Sequence, residues 1–521
     1  MGNSVRAICV YAACALVTAA TPALGAQASF AGASPLATCE TTPSGERMCS
    51  SHHSITMSGR VLEYEATAGT LITRDRAGHP RQSIFFVAYT LDSNRSGPRR
   101  PLTFLFNGGP GASSVFLDMV SFGPVRLRTI STGFLPPAPY IVRPNPDTLL
   151  GVTDLVFMDA PNSGYSRPLG TAKPSMYYST DGDAEIFASA IRRYLTKYDR
   201  WNSRKFLYGE SYGTARAAAV AYRLQELDVS INGVILQSSA LNLSRLFGDG
   251  DVNYVADLPS FAAVAWYHDR IPGKRPLQLR KFVSQAEEFA VGRYASALSQ
   301  GDYIDPTEFE KVAEELRHFT GLPLDYIRRA KLRVSVDGFR EELLRDQGES
   351  VGLLDGRIMA PEADENAEEP SFDASYTAVS DGIYAAFMQY LTDELGYRWG
   401  RDYNIAAQWK GPLHWDYAHA APDGTKELVA DVSVDLAAAL RSEPFLRVLS
   451  LNGWYDLDTP FFGTEMDLSH MMLAQAARER VVVKFYPAGH MGYTDQAALH
   501  LMQQDVSEFM EGACDRCGRP R

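Results

Sequence analysis

Ser211, a serine between two glycines, is the residue of this chain best placed to act as a nucleophile. It stands at the centre of a G-x-S-x-G pattern at residues 209–213. A short apolar run at 206–208 precedes the pattern, and a stretch of small residues that favours a helix, 214–227, follows it. A strand, a tight turn and a helix in this order hold a nucleophilic serine in a strained elbow. The pattern therefore predicts acyl-transfer chemistry at Ser211.

A histidine must accompany this serine, because a hydroxyl is a weak nucleophile until a base takes its proton. In hydrolases built on such an elbow, the acid and then the histidine follow the serine along the chain. His490 lies in a loop directly after the apolar run 481–486, whereas His470 and His500 lie in helix-like patterns. Loops that follow strands commonly present catalytic groups. We therefore predict His490 as the general base.

Two aspartates are candidates for the acid of the same triad. Asp456 and Asp458 both follow the apolar run 445–451. The acid orients the imidazole and stabilises its cationic form. Asp456 is closer to the end of the run and stands three residues after Gly453. We favour Asp456 for this reason and keep Asp458 as the alternative.

A glycine-rich loop, Asn-Gly-Gly-Pro-Gly at residues 107–111, follows the apolar run 102–106. Acyl transfer needs N–H donors for the oxygen that becomes negative in the transition state. In this architecture the donors are the residue after the nucleophile and a residue of such an earlier loop, which predicts Gly109 and Tyr212 as the oxyanion hole. The loop has neither the Lys-Ser/Thr ending of a P-loop nor the G-x-G-x-x-G pattern, so a nucleotide site is disfavoured.

Short apolar runs alternate with helical patterns before residue 244 and again after residue 411. This alternation predicts an α/β class, and with the serine elbow an α/β-hydrolase fold, whose mostly parallel central sheet is flanked by helices. Between them the chain becomes helical and charged, with Pro- and Gly-containing joints, which predicts a helical lid insertion over the site. The predicted parts are a signal peptide at 1–28, a core at 29–244 and 411–521, and the lid at 245–410.

The first 28 residues have the pattern of a signal peptide. A positive start with Arg6 is followed by an uncharged stretch, residues 7–20, and by the small residues Ala-Gln-Ala at 26–28. These are the three regions of a secretory signal, although cleavage after Gly25 or Ala26 is an alternative. A membrane anchor is disfavoured because a spanning helix needs about 20 apolar residues. The pattern predicts a secreted or periplasmic protein.

Four of the six cysteines lie beyond that segment: Cys39, Cys49, Cys514 and Cys517. An even number of cysteines in an exported chain indicates disulfides. Four cysteines allow three pairings, and closeness in sequence favours Cys39 with Cys49 and Cys514 with Cys517. A zinc site at the C-x-x-C pair is disfavoured, since no second cysteine pair and no histidine stands at zinc spacing.

Composition disfavours nucleic-acid binding as the main role of the chain. The net charge is −12, and an acidic chain repels the phosphates of nucleic acids. Hydrophobic residues make up 45% of the 521 residues, which is ample material for a core. No motif implies a metal or a cofactor.

Five motifs, in the same order along the chain, resemble those of the serine carboxypeptidases. They are residues 107–114, 157–166, 209–213, 453–456 and 488–491. The resemblance implies removal of one residue at a time from the C-terminus of a peptide. By motif, it implies that Asn107, Gly108 and Glu210 bind the terminal carboxylate of the substrate, with Glu210 protonated so that it donates a hydrogen bond.

The chain departs from the family pattern at three positions. Ser121 stands where the family has a second Glu of the carboxylate-binding network, Leu105 where it has Trp, and Ala112 where it has Cys. An esterase or acyltransferase on the same scaffold therefore remains an alternative function, and a non-catalytic binding protein is a second. The expected partner is a peptide with a free C-terminus, with no role for nucleic acid or membrane.

Overall fold

The computed structural model describes residues 37–57, 59–91, 99–130, 134–248, 250–407 and 414–515. The predicted signal peptide lies outside what the structure describes, and so does Cys517 of the predicted pair with Cys514. Cys39 and Cys49 lie within it and form a disulfide. They stand directly opposite each other on two antiparallel strands, which confirms the pairing favoured from sequence.

The described residues form seventeen strands and sixteen α-helices. The strands are β1 (Thr38–Thr41), β2 (Arg47–Met57), β3 (Arg60–Arg74), β4 (Pro80–Leu91), β5 (Leu102–Phe106), β6 (Val125–Leu127), β7 (Val142–Pro144), β8 (Asp154–Met158), β9 (Arg167–Pro168), β10 (Lys205–Ser211), β11 (Gly233–Ser239), β12 (Glu349–Val351), β13 (Met359–Pro361), β14 (His419–Ala420), β15 (Lys426–Glu427), β16 (Arg447–Gly453) and β17 (Val481–Tyr486). The helices are α1 (Val115–Val120), α2 (Thr180–Lys197), α3 (Tyr212–Glu226), α4 (Leu243–Phe247), α5 (Asp251–Tyr267), α6 (Leu279–Phe289), α7 (Ala295–Gln300), α8 (Pro306–Thr320), α9 (Leu324–Arg329), α10 (Val336–Glu342), α11 (Ala374–Thr377), α12 (Ser380–Asp393), α13 (Ser433–Ser442), α14 (Phe461–Ser469), α15 (Gln475–Arg478) and α16 (Gln496–Asp515).

One large sheet organises the molecule. Its strand order is β1-β2-β3-β4-β8-β5-β10-β11-β16-β17, and β9 pairs with β4. All neighbours from β8 to β17 are parallel, whereas β1 to β4 and the β4–β8 pair are antiparallel. The six parallel strands are the central sheet that the alternating runs predict, and the α/β-hydrolase architecture is confirmed.

Both faces of the inner parallel strands are buried under helices. Strands β5, β8 and β11 are buried along their whole lengths. On one face Leu105 and Tyr208 belong to an apolar cluster that includes residues of α1, α12 and α16. On the other face Phe104 and Leu207 pack in a cluster with α2, α3 and α13. Strands buried on both sides need continuous apolar runs, and each large side chain buried this way contributes about 1.5–3 kcal/mol.

The carboxyl ends of the parallel strands form the edge at which a site is expected. After β5 the chain adds β8 on one side, and after β8 it returns to add β10 on the other side of β5. The strand order thus reverses between β5 and β10. Loops that leave two such strands diverge and open a crevice, which is the usual ligand site of open α/β sheets.

The chain between β11 and β16 is mainly helical. It holds α4 to α13 and two short antiparallel pairs, β12 with β13 and β14 with β15. A third apolar cluster, which includes Phe261, Phe282 and Phe339, joins these helices to Trp454 and Phe461 just after β16. None of the helices in the described ranges combines the length and apolar character that crossing a bilayer requires. The bounds 245–410 and the covering role of this region stay predictions.

Candidate active site

Ser211 lies at a sharp turn between β10 and α3. Its φ of 59° and ψ of −132° are rarely adopted by residues other than glycine. A Cβ atom on Gly209 would lie 1.9 Å from the carbonyl oxygen of Gly213, and one on Gly213 would lie 2.6 Å from that of Phe106. A side chain at either flanking position would therefore clash with neighbouring backbone, so both positions need glycine. Ser211 is the partly exposed end of an otherwise buried strand, as an elbow requires.

Asp456 and His490 meet in the loops that follow β16 and β17. His490 Nδ1 donates to Asp456 Oδ2 at 2.9 Å. Asp456 Oδ1 accepts the backbone N–H groups of Asp458 and Thr459, each at 2.9 Å. The Thr459 hydroxyl donates to Asp456 Oδ2 at 2.8 Å. A carboxylate held by these four bonds fixes the imidazole through Nδ1 and leaves Nε2 for chemistry.

Asp458 occupies a different position around the same ring. Its Oδ2 lies 3.7 Å from His490 Nε2, on the side opposite Asp456. The acid of a triad bonds Nδ1 and leaves Nε2 to exchange a proton with the nucleophile. The geometry therefore favours Asp456 over Asp458 for that role. His470 and His500 are exposed, and His500 Nδ1 bonds Asp147 at 2.7 Å.

The main chain of His490 is held on both sides. Its carbonyl oxygen accepts from Ser238 Oγ at 2.7 Å and from Gln237 Nε2 at 3.1 Å. Its N–H donates to the carbonyl oxygen of Leu354 at 2.6 Å. Within the described ranges no hydrogen bond joins Ser211 Oγ to His490 Nε2. Such contacts commonly tighten only when a substrate is bound.

The charge on His490 is set by the carboxyl groups around it. Burial lowers its pKa, but Asp456, Asp458 and Glu210 outweigh burial and raise the pKa above its ordinary range. The imidazolium is the form that accumulates when a base takes the proton of a serine. The surroundings of His490 therefore stabilise the ion that acyl transfer produces.

The glycine-rich loop packs directly against the serine elbow. A Cβ on Gly108 would lie 2.5 Å from the backbone nitrogen of Tyr212 and 2.8 Å from the carbonyl oxygen of Glu210. Gly109 has a φ of +108°. Neither the Gly109 N–H nor the Tyr212 N–H donates to an acceptor in the described part of the chain. Two free donors, one on the glycine-rich loop and one at the start of α3, are what an oxyanion hole requires.

Asn107, Glu210 and Tyr493 form a buried polar cluster next to Ser211. Asn107 Nδ2 donates to Glu210 Oε2 at 2.6 Å, and the Tyr493 hydroxyl donates to the same oxygen at 2.8 Å. Asn107 Oδ1 in turn accepts the Leu117 N–H at 3.1 Å. Burial raises the pKa of Glu210 to about 7, against the opposing effects of His490, Tyr493 and Asn107. Below that pH Glu210 is a neutral acid that can donate a hydrogen bond.

Ser121 does not take part in this cluster. Its hydroxyl and its N–H both donate to the carbonyl oxygen of Leu117, one turn earlier in α1. In the described ranges no hydrogen bond joins Ser121, at the position of the family's second Glu, to Glu210. The second donor to Glu210 is Tyr493, which sequence reasoning missed. A tyrosine three residues after His490 is the signal that was available.

A buried ion pair between Arg216 and Asp183 lies against the start of the glycine-rich loop. Arg216 of α3 is 1% exposed. It donates to the two carboxylate oxygens of Asp183 in α2 at 2.6 and 3.2 Å, and to the carbonyl oxygen of Asn107 at 2.6 Å. Its guanidinium lies 4.3 Å from the centre of the Phe187 ring. Sequence reasoning missed Arg216 because an arginine on a helix usually indicates an exposed face.

Arg216→Ala is expected to lower the free energy of unfolding by about 3–5 kcal/mol, because the carboxylate of Asp183 would stay buried without a partner. Urea denaturation measures this change. Arg223→Ala is the matched control on the same helix, since its pair with Glu226 at 2.7 Å is exposed and such pairs contribute less than about 1 kcal/mol. Equal effects of the two substitutions would contradict the prediction.

Comparison with known proteins identifies the family to which this chain is similar. The sequence profile named serine carboxypeptidase matches residues 65–327, about half of the chain. The chain is 26% identical over 210 residues to the pheromone-processing carboxypeptidase kex1 of Schizosaccharomyces pombe, covering 37% of this chain and 38% of the relative. It is 24% identical over 215 residues to serine carboxypeptidase-like 50 of Arabidopsis thaliana, covering 41% and 44%. The chain thus spans less than half the length of these curated relatives.

A prohormone-processing carboxypeptidase from Saccharomyces cerevisiae aligns with a TM-score of 0.48 at 14% identity, covering 89% of this chain and 91% of that chain. The segment that matches the family profile contains Asn107, Glu210 and Ser211. The chain belongs to the serine carboxypeptidase family.

Proposed function

We propose that this protein is a serine carboxypeptidase that removes single residues from the C-terminus of peptides. The observation that carries the proposal is the contact of Asn107 with Glu210 beside Ser211. Burial raises the pKa of Glu210 to about 7, so that below this pH its carboxyl group is neutral and can donate a hydrogen bond to a carboxylate. An ionised carboxyl group would repel the carboxylate. A hydrolase of neutral esters has no use for such a group, but an enzyme that binds a free C-terminus needs one.

In the proposed mechanism, Ser211 Oγ attacks the carbonyl carbon of the last peptide bond while its proton passes to His490 Nε2. The N–H groups of Gly109 and Tyr212 bind the oxygen that becomes negative. His490 then gives the proton to the leaving nitrogen, the C–N bond breaks, and the terminal amino acid departs. The remaining peptide stays bound to Ser211 as an ester.

Water completes the cycle. His490 takes a proton from the water that attacks the ester, and returns it to Ser211 Oγ as the C–O bond breaks. Asp456 keeps the Nδ1–H of His490 in place and stabilises the cation in both halves of the reaction. Asn107, the N–H of Gly108 and Glu210 hold the substrate's terminal carboxylate, so that only the last peptide bond reaches Ser211.

The helical region between β11 and β16 is proposed as the lid. It contacts both catalytic loops: the carbonyl oxygen of Leu354 accepts the His490 N–H at 2.6 Å, and the Leu457 N–H donates to Leu353 at 3.1 Å. We also propose that the protein is exported to an oxidising compartment. The signal-peptide pattern at 1–28 and the Cys39–Cys49 disulfide support this location.

A pair of substrates tests the function directly. An N-blocked dipeptide with a free C-terminus is compared with the same dipeptide as its amide. We expect kcat/KM to be about 10²-fold higher for the free acid, because hydrogen bonds to a charged group contribute about 1.5–3 kcal/mol. Equal rates, or a faster amide, would show that Asn107 and Glu210 do not bind a carboxylate.

Glu210→Gln is expected to remove a pH dependence. In the wild type, kcat/KM for free-acid peptides falls as the pH rises through the pKa of Glu210, about 7, because the ionised group repels the substrate. A glutamine amide donates at every pH, so the variant should keep its rate above pH 7. An ester without a free carboxylate serves as the control and should show no such fall in either protein. A fall retained in the variant would contradict the role of Glu210.

A further inference from the structure

We propose that Tyr493 is a positioning residue that decides which oxygen of Glu210 carries the proton, and so completes the site for the substrate's carboxylate. This inference rests on the proposed carboxypeptidase function. Its starting point is the contact between the Tyr493 hydroxyl and Glu210 Oε2 at 2.8 Å, which joins residues 283 positions apart.

Both donors to Glu210 converge on one oxygen. Asn107 Nδ2 and the Tyr493 hydroxyl reach Oε2 at 2.6 and 2.8 Å, and no residue in the described ranges bonds Oε1. A neutral carboxyl group has one oxygen that accepts and one O–H that donates. Two donors fixed on Oε2 make it the accepting oxygen. The proton is thereby placed on Oε1, where it is free to donate to a carboxylate.

The loop that carries Tyr493 is anchored, so its hydroxyl has a fixed place. Arg126 donates to the carbonyl oxygen of Tyr493 at 3.3 Å and to Gln496 Oε1 at 2.6 Å. Thr129 Oγ1 donates to the carbonyl oxygen of Thr494 at 2.5 Å. The Tyr493 side chain itself is fully buried. The segment after His490 is thus tied to the segment that follows α1.

Among Glu210 and the groups that face it, Glu210 is the group that changes charge near pH 7. The facing groups are His490 and Asp456 from the loops after β17 and β16, the hydroxyls of Tyr493 and Tyr208, and the amide of Asn107. Burial raises the pKa of both tyrosines well above the ordinary value, so their hydroxyls stay protonated. The pKa of His490 is raised by the same carboxyl groups. Tyr493 is therefore a permanent donor.

The hydrogen bond from Tyr493 compensates for the departure from the family pattern at position 121, where Ser121 stands in place of a second Glu. The hydroxyl of Ser121 donates to the carbonyl oxygen of Leu117 in α1, and no hydrogen bond in the described part of the chain joins that helix to Glu210. The donor comes instead from the loop of the predicted general base, three residues after His490. The carboxylate site and the catalytic histidine consequently share one segment of chain.

Tyr493→Phe tests the proposal because it removes the hydroxyl and keeps the ring. We expect KM for a free-acid peptide to rise about 5- to 20-fold, with kcat changed by less than about 2-fold. The kinetic constants for an ester without a free carboxylate should not change, and they also report correct folding. The fall of kcat/KM on the alkaline side should move to higher pH, because a donor to the ionised form of Glu210 is lost. Tyr294→Phe is the control, since that buried hydroxyl donates to the carbonyl oxygen of Leu332 at 2.7 Å in the helical region.

A second variant keeps the test decisive if the phenylalanine protein folds poorly. 3-Fluorotyrosine at position 493 has nearly the same shape and is a stronger donor, so the alkaline fall should move to lower pH. Equal rises in KM for peptide and ester, or unchanged KM and pH profiles in both variants, would overturn the role of Tyr493. A wild type that does not cleave the free-acid peptide at all would instead overturn the proposed function, and this inference with it.

Discussion

Ser211→Ala is expected to lower kcat for a free-acid peptide by about 10⁴- to 10⁶-fold, because the whole acyl-enzyme route depends on one hydroxyl. The oxyanion hole and the binding site remain in the variant, so a small residual rate over water should persist. Steady-state rates at pH 6 measure the effect. The backbone at position 211 is strained for any residue with a side chain, so alanine should leave the fold as it is.

Ser239→Ala is the matched control for this experiment. Ser239 is the partner of Ser211 in the pairing of β10 with β11, and its buried hydroxyl makes no hydrogen bond in the described structure. Its removal should change kcat by less than about 2-fold, since no interaction is lost. A Ser211→Ala protein with more than a hundredth of the wild-type rate would mean that another group is the nucleophile.

Asp456→Asn is expected to lower kcat by about 10³- to 10⁴-fold, because an amide behind Nδ1 favours the wrong tautomer of His490 and does not stabilise its cation. The bond from His490 Nδ1 to Asp456 Oδ2, at 2.9 Å, is the contact that is changed. Asp458→Asn alters the carboxylate 3.7 Å from Nε2 and should cost less than about 10-fold. Comparison of kcat for the two variants at the same pH measures the difference.

The same pair of variants separates the two candidate acids. If Asp458→Asn were the more damaging substitution, the acid would be misassigned. Loss of a charge near His490 should also lower the pKa of His490 in both variants, because both carboxylates raise it. The acid limb of kcat/KM should therefore move to lower pH, and the size of that movement gives the share of each aspartate.

The parallel strands were the part of the fold that the sequence predicts best. The runs at 102–106 and 481–486 coincide with β5 and β17 to the residue. A strand buried on both faces, such as β5, is a nearly continuous apolar run, so its limits are visible in the sequence. Short strands at the edges of the molecule lack this contrast and escape such a prediction.

Helix starts were predicted less well, because caps and turns set them. Helix α2 begins at Thr180, where the Ser179 side chain accepts from the Gly182 N–H and caps it. The helix expected from 214 begins at Tyr212, directly after the strained Ser211. Apolar periodicity marks the core-facing part of a helix, whereas the first turn depends on local hydrogen bonds.

The residues of the candidate site likewise fall into two groups: those that the sequence indicates and those that only the folded chain reveals. Ser211, Asp456 and His490 could be proposed from the sequence because each stands at the end of an apolar strand or in the loop just after one. Tyr493 and Arg216 were not, because their roles depend on which distant segments meet them. Arg216 bonds a carbonyl group 109 residues away, and Tyr493 bonds a glutamate 283 residues away. Only the folded chain brings such partners together.

Mass spectrometry of the products from one peptide, offered with a free C-terminus and with an amidated one, is the sharpest test of the proposed carboxypeptidase activity. Between pH 4 and 8 we expect a ladder of products, each shorter by one C-terminal residue, from the free acid alone. Cleavage within the chain, equal cleavage of the amide, or hydrolysis of simple esters without any cleavage of either peptide would contradict it.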